Sequence, residues 1–258
     1  MRLNRFLASA GLGSRRSVEE IIQSGRVRIN GRVVEDLATQ VGPEDSVKVG
    51  SKVIRTQQTI HAVLNKPRGL LSTADDERGR RTIFELLPEK WPRVFHVGRL
   101  DRESEGLMLL TNDGDLALRL THPRFHVEKE YEVGIDKPFD PAHREKLLKG
   151  FHIEGGRAKA ELVAEIKPHL IRIILRQGIK RQIRLMLFEL GYEVVHLRRV
   201  RIGPIRLGHL RVGEWRLLTP KELAQISTTP EKKPERLKAG ERTQGKLKSQ
   251  ASSAREAP

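Results

Sequence analysis

Cysteine is absent from all 258 residues, which excludes disulfides and thiolate metal ligands and agrees with a reducing, cytoplasmic compartment. No apolar run approaches the roughly 18 residues of a membrane span, and Met1-Arg2-Leu3-Asn4-Arg5 leads into no signal-peptide core. Nucleotide-binding fingerprints are missing as well. Gly11-Leu12-Gly13 is followed by Arg16 where a dinucleotide loop needs its third glycine, and there is no Walker loop. His122 and His126 stand four apart, but Pro123 interrupts the helix that would align them and no further His completes a ligand set, so no metal is expected. Acidic charge is outweighed: 49 Lys and Arg face 33 Asp and Glu, a formal net charge of +16. The basic excess runs through residues 1–60, 61–226 and 227–258 alike and favours a polyanionic partner.

What is present suffices for one medium domain and a small module, since 37% of the chain is hydrophobic. Residues 1–57 read as the module. Leu3, Phe6, Leu7 and Ala10 recur at helical spacing and Gly11 is placed to end that helix. A second helix can be capped by Ser14, or by Ser17 with Glu20, with Val18, Ile21 and Ile22 as its apolar face and Gly25 as its stop. Arg26-Val27-Arg28-Ile29 alternates like a strand, Asn30-Gly31 signals a tight turn, and Val33-Val34 begins the return.

Residues 60–226 read as a mixed α+β domain. Strands are predicted at 60–64, 94–97, 107–111, 130–135, 158–166, 170–176, 194–197 and 215–218, with helices at 82–87, 115–122, 141–149 and 179–190. The succession is too irregular for strict βαβ alternation, so a mainly antiparallel sheet with helices on its faces is expected. Residues 227–258 hold almost nothing apolar and are expected to form a disordered basic tail.

The segment from His96 to Gly114 is the most informative. A glycine-bounded loop crowded with charge, Gly98-Arg99-Leu100-Asp101-Arg102-Glu103-Ser104-Glu105-Gly106, sits between two apolar runs. Loops held by rigid strands are where reactive groups concentrate, and Arg99 and Asp101 there can meet an anionic polymer and react with it. Glu103 and Glu105 alternate along an extended segment and so do not converge with Asp101 into a two-carboxylate hydrolase site.

This loop resembles the catalytic motif of pseudouridine synthases, specifically the branch that modifies single ribosomal RNA uridines and carries an N-terminal S4 domain. The resemblance continues in Asn65-Lys66-Pro67-Arg68-Gly69, in Glu128-Lys129-Glu130-Tyr131 and in Gly178-Ile179-Lys180-Arg181-Gln182-Ile183-Arg184, and spans about residues 1–226. It departs at Ser104, where members commonly have Thr with the same hydroxyl, and at Gln177-Gly178-Ile179, where they have Glu-Gly and a basic residue. The Gly-Leu-Gly-Ser-Arg-Arg and Gly-Arg-Val-Arg-Ile-Asn-Gly stretches look like the S4 RNA-binding fold, which implies RNA phosphate contacts by Arg15, Arg16 and Arg26.

What the resemblance implies for the chemistry is specific. Turning uridine into pseudouridine breaks the bond from N1 to ribose C1′, rotates the base and rejoins it through C5, with no redox step and no cofactor. One carboxylate can serve, as nucleophile at C1′ or as base on the ribose, and the match gives this role to Asp101. Arg184 matches the basic residue that pairs with it, because a carboxylate buried against a base needs a nearby cation to stay ionised. Tyr131 matches the active-site tyrosine that stacks on the detached uracil and helps move the C5 proton. Arg99 is implied to fill the helical stack when the uridine flips out. Lys66 and Arg68 are candidates for loop contacts to phosphate or, equally, for structural duty in the Lys-Pro-Arg-Gly turn, and Lys180, one helical turn before Arg184, faces phosphate with Arg181. The implied protein is a cytoplasmic, monomeric ribosomal RNA pseudouridine synthase whose 76–88 segment leans towards large-subunit rRNA. The alternatives are a catalytically inactive ribosome-assembly factor that only binds RNA, and a glycosidase that releases uracil.

Overall fold

Leu3 and Leu7, one turn apart and fully buried, open helix α1 (Leu3–Ser9), and Val18 and Ile22 repeat the spacing in α2 (Arg15–Gln23). Of the two caps available to α2, Ser14 is the one used: its side chain accepts from the Ser17 amide at 3.1 Å. The two helices cover a sheet of four short strands, β1 (Val27–Ile29), β2 (Arg32–Val33), β3 (Val47–Val49) and β4 (Lys52–Val53), in the order β2-β1-β3-β4. The second hairpin exceeds the single one predicted, and Val47 from it, with Val41 before it and Ile54 after it, completes this small core. The computed structural model describes residues 1–74 and 76–227, so the expected tail, apart from Ser227, lies outside the described residues.

The larger domain is built on one nine-stranded sheet. Its strands come from β5 (His61–Lys66), β6 (Phe95–Val97), β7 (Glu105–Thr111), β8 (Lys129–Ile135), β11 (Leu162–Lys167), β12 (Leu170–Leu175), β13 (Val194–Ile202), β14 (Ile205–Arg206) and β15 (Trp215–Leu217), while β9 (Phe151–Ile153) and β10 (Gly156–Ala158) form a separate hairpin. The main order is β11-β12-β8-β13-β7-β5-β15, with β6 on β7 and β14 on β13, and every pair is antiparallel except β13 with β7. Helices α3 (Gly114–Thr121), α4 (Ala142–Lys149), α5 (Gln182–Phe188) and α6 (Pro220–Ser227) pack around it.

Strands β5 and β7 read as continuous apolar runs because both of their faces are covered. Leu64, Met108 and Leu110 point into the larger core with Tyr131, Val133 and Ile183, whereas Val63, Leu107 and Leu109 point into a second core with Leu116, Ile202 and Ile226. The α+β architecture with a mainly antiparallel sheet agrees with the expectation.

Several boundaries differ, each for a local reason. The strand predicted at 158–166 is split: the Gln177 side chain accepts from the Lys159 amide at 2.9 Å and donates to the Arg157 carbonyl at 3.0 Å, taking backbone groups a ladder would have used. The helix predicted at 179–190 begins only at Gln182, because Arg181 is left-handed with φ of 55° and cannot continue a helix. Lys180 therefore lies in the preceding turn, and its predicted place one helical turn from Arg184 does not hold. Segment 82–87 makes a single 3-10 turn, Ile83–Leu86, closed by a capping box between Thr82 and Glu85. Strand β13 runs five residues past 197, where Arg199 is buried within the sheet and Arg201 pairs with Glu130.

Candidate active site

Asp101 sits in a tight turn, Ser104 donating its amide to the Asp101 carbonyl at 3.0 Å, between β6 and β7. Bonds from two sides hold that turn. The Ser72 hydroxyl donates to the Leu100 carbonyl at 2.8 Å, and the Gly69 amide donates to the Arg102 carbonyl at 2.8 Å. From beneath, the Lys66 ammonium donates to the carbonyls of Ser104 at 2.8 Å, Pro67 at 2.9 Å and Arg102 at 3.4 Å. Lys66 is fully buried, and that burial pushes its ammonium down to about 8. Of the two roles open to Lys66, the structure therefore favours turn duty over phosphate contact. Arg68 on the same turn is exposed and lies 3.8 Å from Glu103.

Gly106 sets the relation of this loop to the sheet. With φ of +101°, it lies where β7 meets β13 in parallel, and a Cβ there would stand 2.3 Å from the Arg199 carbonyl oxygen. Only glycine permits that approach.

Asp101 opens onto a cleft of about 1310 Å³. Tyr131 lines the same cleft from β8, as do Ser104 and Arg99 from the loop, Lys180, Arg181 and Gln182 from the start of α5, and Lys129 and Arg199 from the sheet. Cations dominate the lining, with Lys159 and Arg176 also present and only Asp101 and Glu161 opposing them. Neither Glu103 nor Glu105 lines the cleft. A cleft of this size and sign accepts a nucleotide with its phosphates, next to one carboxylate and one aromatic ring.

Arg184 departs from its expected place. It is half-buried behind the cleft lining, its Nη1 donates to the Val194 carbonyl at 2.8 Å, and its buried Nε has no partner. Burial lowers its pKa, Arg181 adds to that, and Asp101 acts in the opposite direction. The two are therefore in electrostatic reach, while no ion pair within 4 Å joins Arg184 to Asp101 among the described residues.

Further cleft residues were not singled out as site residues in the sequence. Lys129 stands two before Tyr131, a spacing that puts both on one strand face and was the available signal. Arg199 lies inside the run Arg198-Arg199-Val200-Arg201, which reads as a further RNA-contact stretch, yet it is 2% exposed.

Residues 60–189 match the family described as RNA pseudouridylate synthase, and residues 1–47 match the S4 domain. The chain belongs to the RNA pseudouridine synthases. A relative from Aquifex aeolicus, described as an uncharacterized RNA pseudouridine synthase, is 40% identical over 88% of this chain and 93% of its own. The ribosomal large subunit pseudouridine synthase B of Bacillus subtilis is 35% identical over 87% of this chain and 95% of its own. A crystal structure of a pseudouridylate synthase superposes with a TM-score of 0.65 at 28% identity, covering 88% of this chain and 99% of that one.

In this RNA pseudouridine synthase the S4 domain meets the catalytic domain at the start of α3. Arg5 pairs with Asp115, and the Arg15 guanidinium reaches within 2.9 Å of the point where a Cβ on Gly114 would stand, adding its charge near Asp115. Arg15 is partly engaged by this contact. Arg16 is exposed, and the exposed Arg26 guanidinium donates to the Ser24 hydroxyl at 2.9 Å.

Proposed function

We propose that this synthase isomerises one uridine of ribosomal RNA, in the large subunit, with Asp101 as the reacting carboxylate. The convergence of Asp101 and Tyr131 on one cation-rich cleft supports this reading most. Asp101 attacks C1′ or removes a ribose proton, Tyr131 stacks on the freed uracil, and Arg184 acts on Asp101 through space. Arg99, exposed at the cleft mouth, takes the place of the extruded base, while Lys180, Arg181, Arg16 and Arg26 hold phosphates. The large-subunit assignment draws on the Bacillus subtilis relative, whose name states that substrate. A monomer acting in the cytoplasm, without cofactor, completes the proposal.

Pseudouridine mapping across all rRNA, from cells with and without this protein, tests it. Loss of one large-subunit modification is expected. Loss in small-subunit rRNA would shift the target, and an unchanged rRNA map would remove ribosomal RNA as the substrate.

A further inference from the structure

Lys129 and Arg199 bring positive charge to the cleft and meet no carboxylate there among the described residues. Lys129 and Tyr131, two apart on β8, both line the cleft, while Glu130 between them turns to Arg201 at 2.7 Å and Arg172 at 3.2 Å. Arg199 lies directly opposite Tyr131 in the ladder between β13 and β8. The neighbouring acid Glu128 is also taken, by Arg176 at 2.9 Å and Arg201 at 3.2 Å. What Lys129 and Arg199 do contact is neutral. The Lys129 ammonium donates to the Val127 carbonyl at 3.2 Å, and the Arg199 guanidinium donates to the carbonyls of Leu107 at 2.7 Å and Arg99 at 3.4 Å.

A half-buried Lys129 and a buried Arg199 lining one cleft without an acid are costly to keep. Burial and the charge of Arg199 push the Lys129 ammonium down to about 8. An anion entering between them would offset that cost, and the reaction generates one beside Tyr131. When the bond from N1 to C1′ breaks, its electron pair leaves on the base, and the negative charge spreads over N1 and the ring carbonyl oxygens.

We propose that Lys129 and Arg199 form an anion site for the detached uracil, with Lys129 a catalytic residue that stabilises the departing base. This rests on the reading of Asp101 and Tyr131 as the reacting end of the cleft. On the covalent route Asp101 bonds to C1′ as the base leaves, and C5 then attacks C1′ and displaces the carboxylate. The proton lost from C5 is balanced by the one gained at N1, so no outside acid, base or redox partner is consumed. Lys129 holds charge through this sequence while the ring turns over Tyr131.

The test uses the full chain and 5-nitrouracil, a free base whose ionisation is visible in its ultraviolet absorbance. Bound to the wild-type protein, its ionisation should fall by about one pH unit or more, a tenfold preference for the anion. Lys129→Met should lose most of that shift and Lys129→Arg should retain it. A packing role for Lys129 would instead weaken both forms of the base alike. No binding, equal affinity for the two forms, or a Lys129→Met protein identical to wild type would overturn the proposal. A second arm needs an RNA fragment that the wild-type chain isomerises. There Lys129→Met should slow uridine at least tenfold more than 5-fluorouridine, whose base departs more readily as an anion, and equal slowing would overturn the proposal. Failure of the ribosomal target would show as an inactive wild-type chain on the rRNA fragment and would leave the free-base titration standing.

Discussion

The ammonium of Lys66 donates to the Ser104 carbonyl at 2.8 Å, tying the far end of the Asp101 turn to strand β5. Its other two bonds fall on Pro67 and Arg102, so a single buried cation fixes both the Lys-Pro-Arg-Gly turn and the reactive loop. Lys66→Met removes all three bonds and keeps the volume. The expected result is a loss of at least about tenfold in single-turnover rate with RNA affinity changed less than about twofold, because misplacing a reacting group by a fraction of an ångström affects chemistry before binding. Rates and affinities on the same RNA fragment check it. Weaker binding with an unchanged rate would return Lys66 to the phosphate-contact role.

Asp101→Asn should abolish isomerisation and leave RNA affinity nearly intact. The amide keeps the volume and the turn, whose 3.0 Å bond uses only backbone atoms, but supplies neither a nucleophile nor a base. Activity above a few per cent of wild type in single-turnover assays would take Asp101 out of the chemistry.

Much of this arrangement was legible in the residues. Apolar spacing located both S4 helices and most strands of the large sheet, and the charged loop between apolar runs located the Asp101 turn. Side chains that act on backbone were not legible. The Lys-Pro-Arg-Gly turn leaves Lys66 open between phosphate contact and structural duty, and only the three carbonyls converging on it in space make it a staple. Arg199 was hidden for a similar reason: nothing in Arg198-Arg199-Val200-Arg201 tells which arginine is covered by the parallel neighbour β7. Lys180 shows the reverse error, since its helical spacing to Arg184 runs across a left-handed Arg181 that starts the helix only at Gln182.

Gly106→Ala should be strongly destabilising. The new methyl would meet the Arg199 carbonyl oxygen at 2.3 Å and the Arg199 amide nitrogen at 2.8 Å, and φ of +101° is itself strained for alanine. Separation of β7 from β13 would displace the Asp101 loop as well, so a loss on the order of 3 kcal/mol or more is expected. Urea unfolding measures it, and a change under about 0.5 kcal/mol would show that the two strands separate freely.

The buried lysines give a pH dependence with a defined sign. Lys129 and Lys66 are each held at about 8 against an ordinary 10.5. Below pH 8 both the folded and the unfolded chain carry the protons, and the burial penalty is fully present. Between pH 8 and 10.5 the unfolded chain still binds them while the folded chain has released them, so stability should rise with pH across that window. Urea melts from pH 7.5 to 10.5 should show a smaller rise in Lys129→Met than in wild type. Parallel curves for the two proteins would mean that Lys129 keeps its ordinary affinity for the proton.

The S4 arginines divide by what already engages them. Arg15 lies against Gly114 of the catalytic domain with its charge near Asp115, whereas Arg16 and Arg26 are exposed with no acidic partner among the described residues. Each phosphate neutralised contributes about 0.7 to 0.9 to the slope of log affinity against log salt, depending on strandedness. Arg16→Ala with Arg26→Ala should therefore flatten that slope by roughly 1.4 to 1.8, and Arg15→Ala alone by clearly less than one such step. Turnover at saturating RNA should hardly change in either protein, since neither arginine of the pair lines the Asp101 cleft. The same titration on a chain ending at Ser227 separates the contribution of the basic residues beyond it. If that shortening flattens the slope and the double substitution does not, RNA contact belongs to the terminal segment and the S4 domain serves the fold through Arg5 and Arg15 alone.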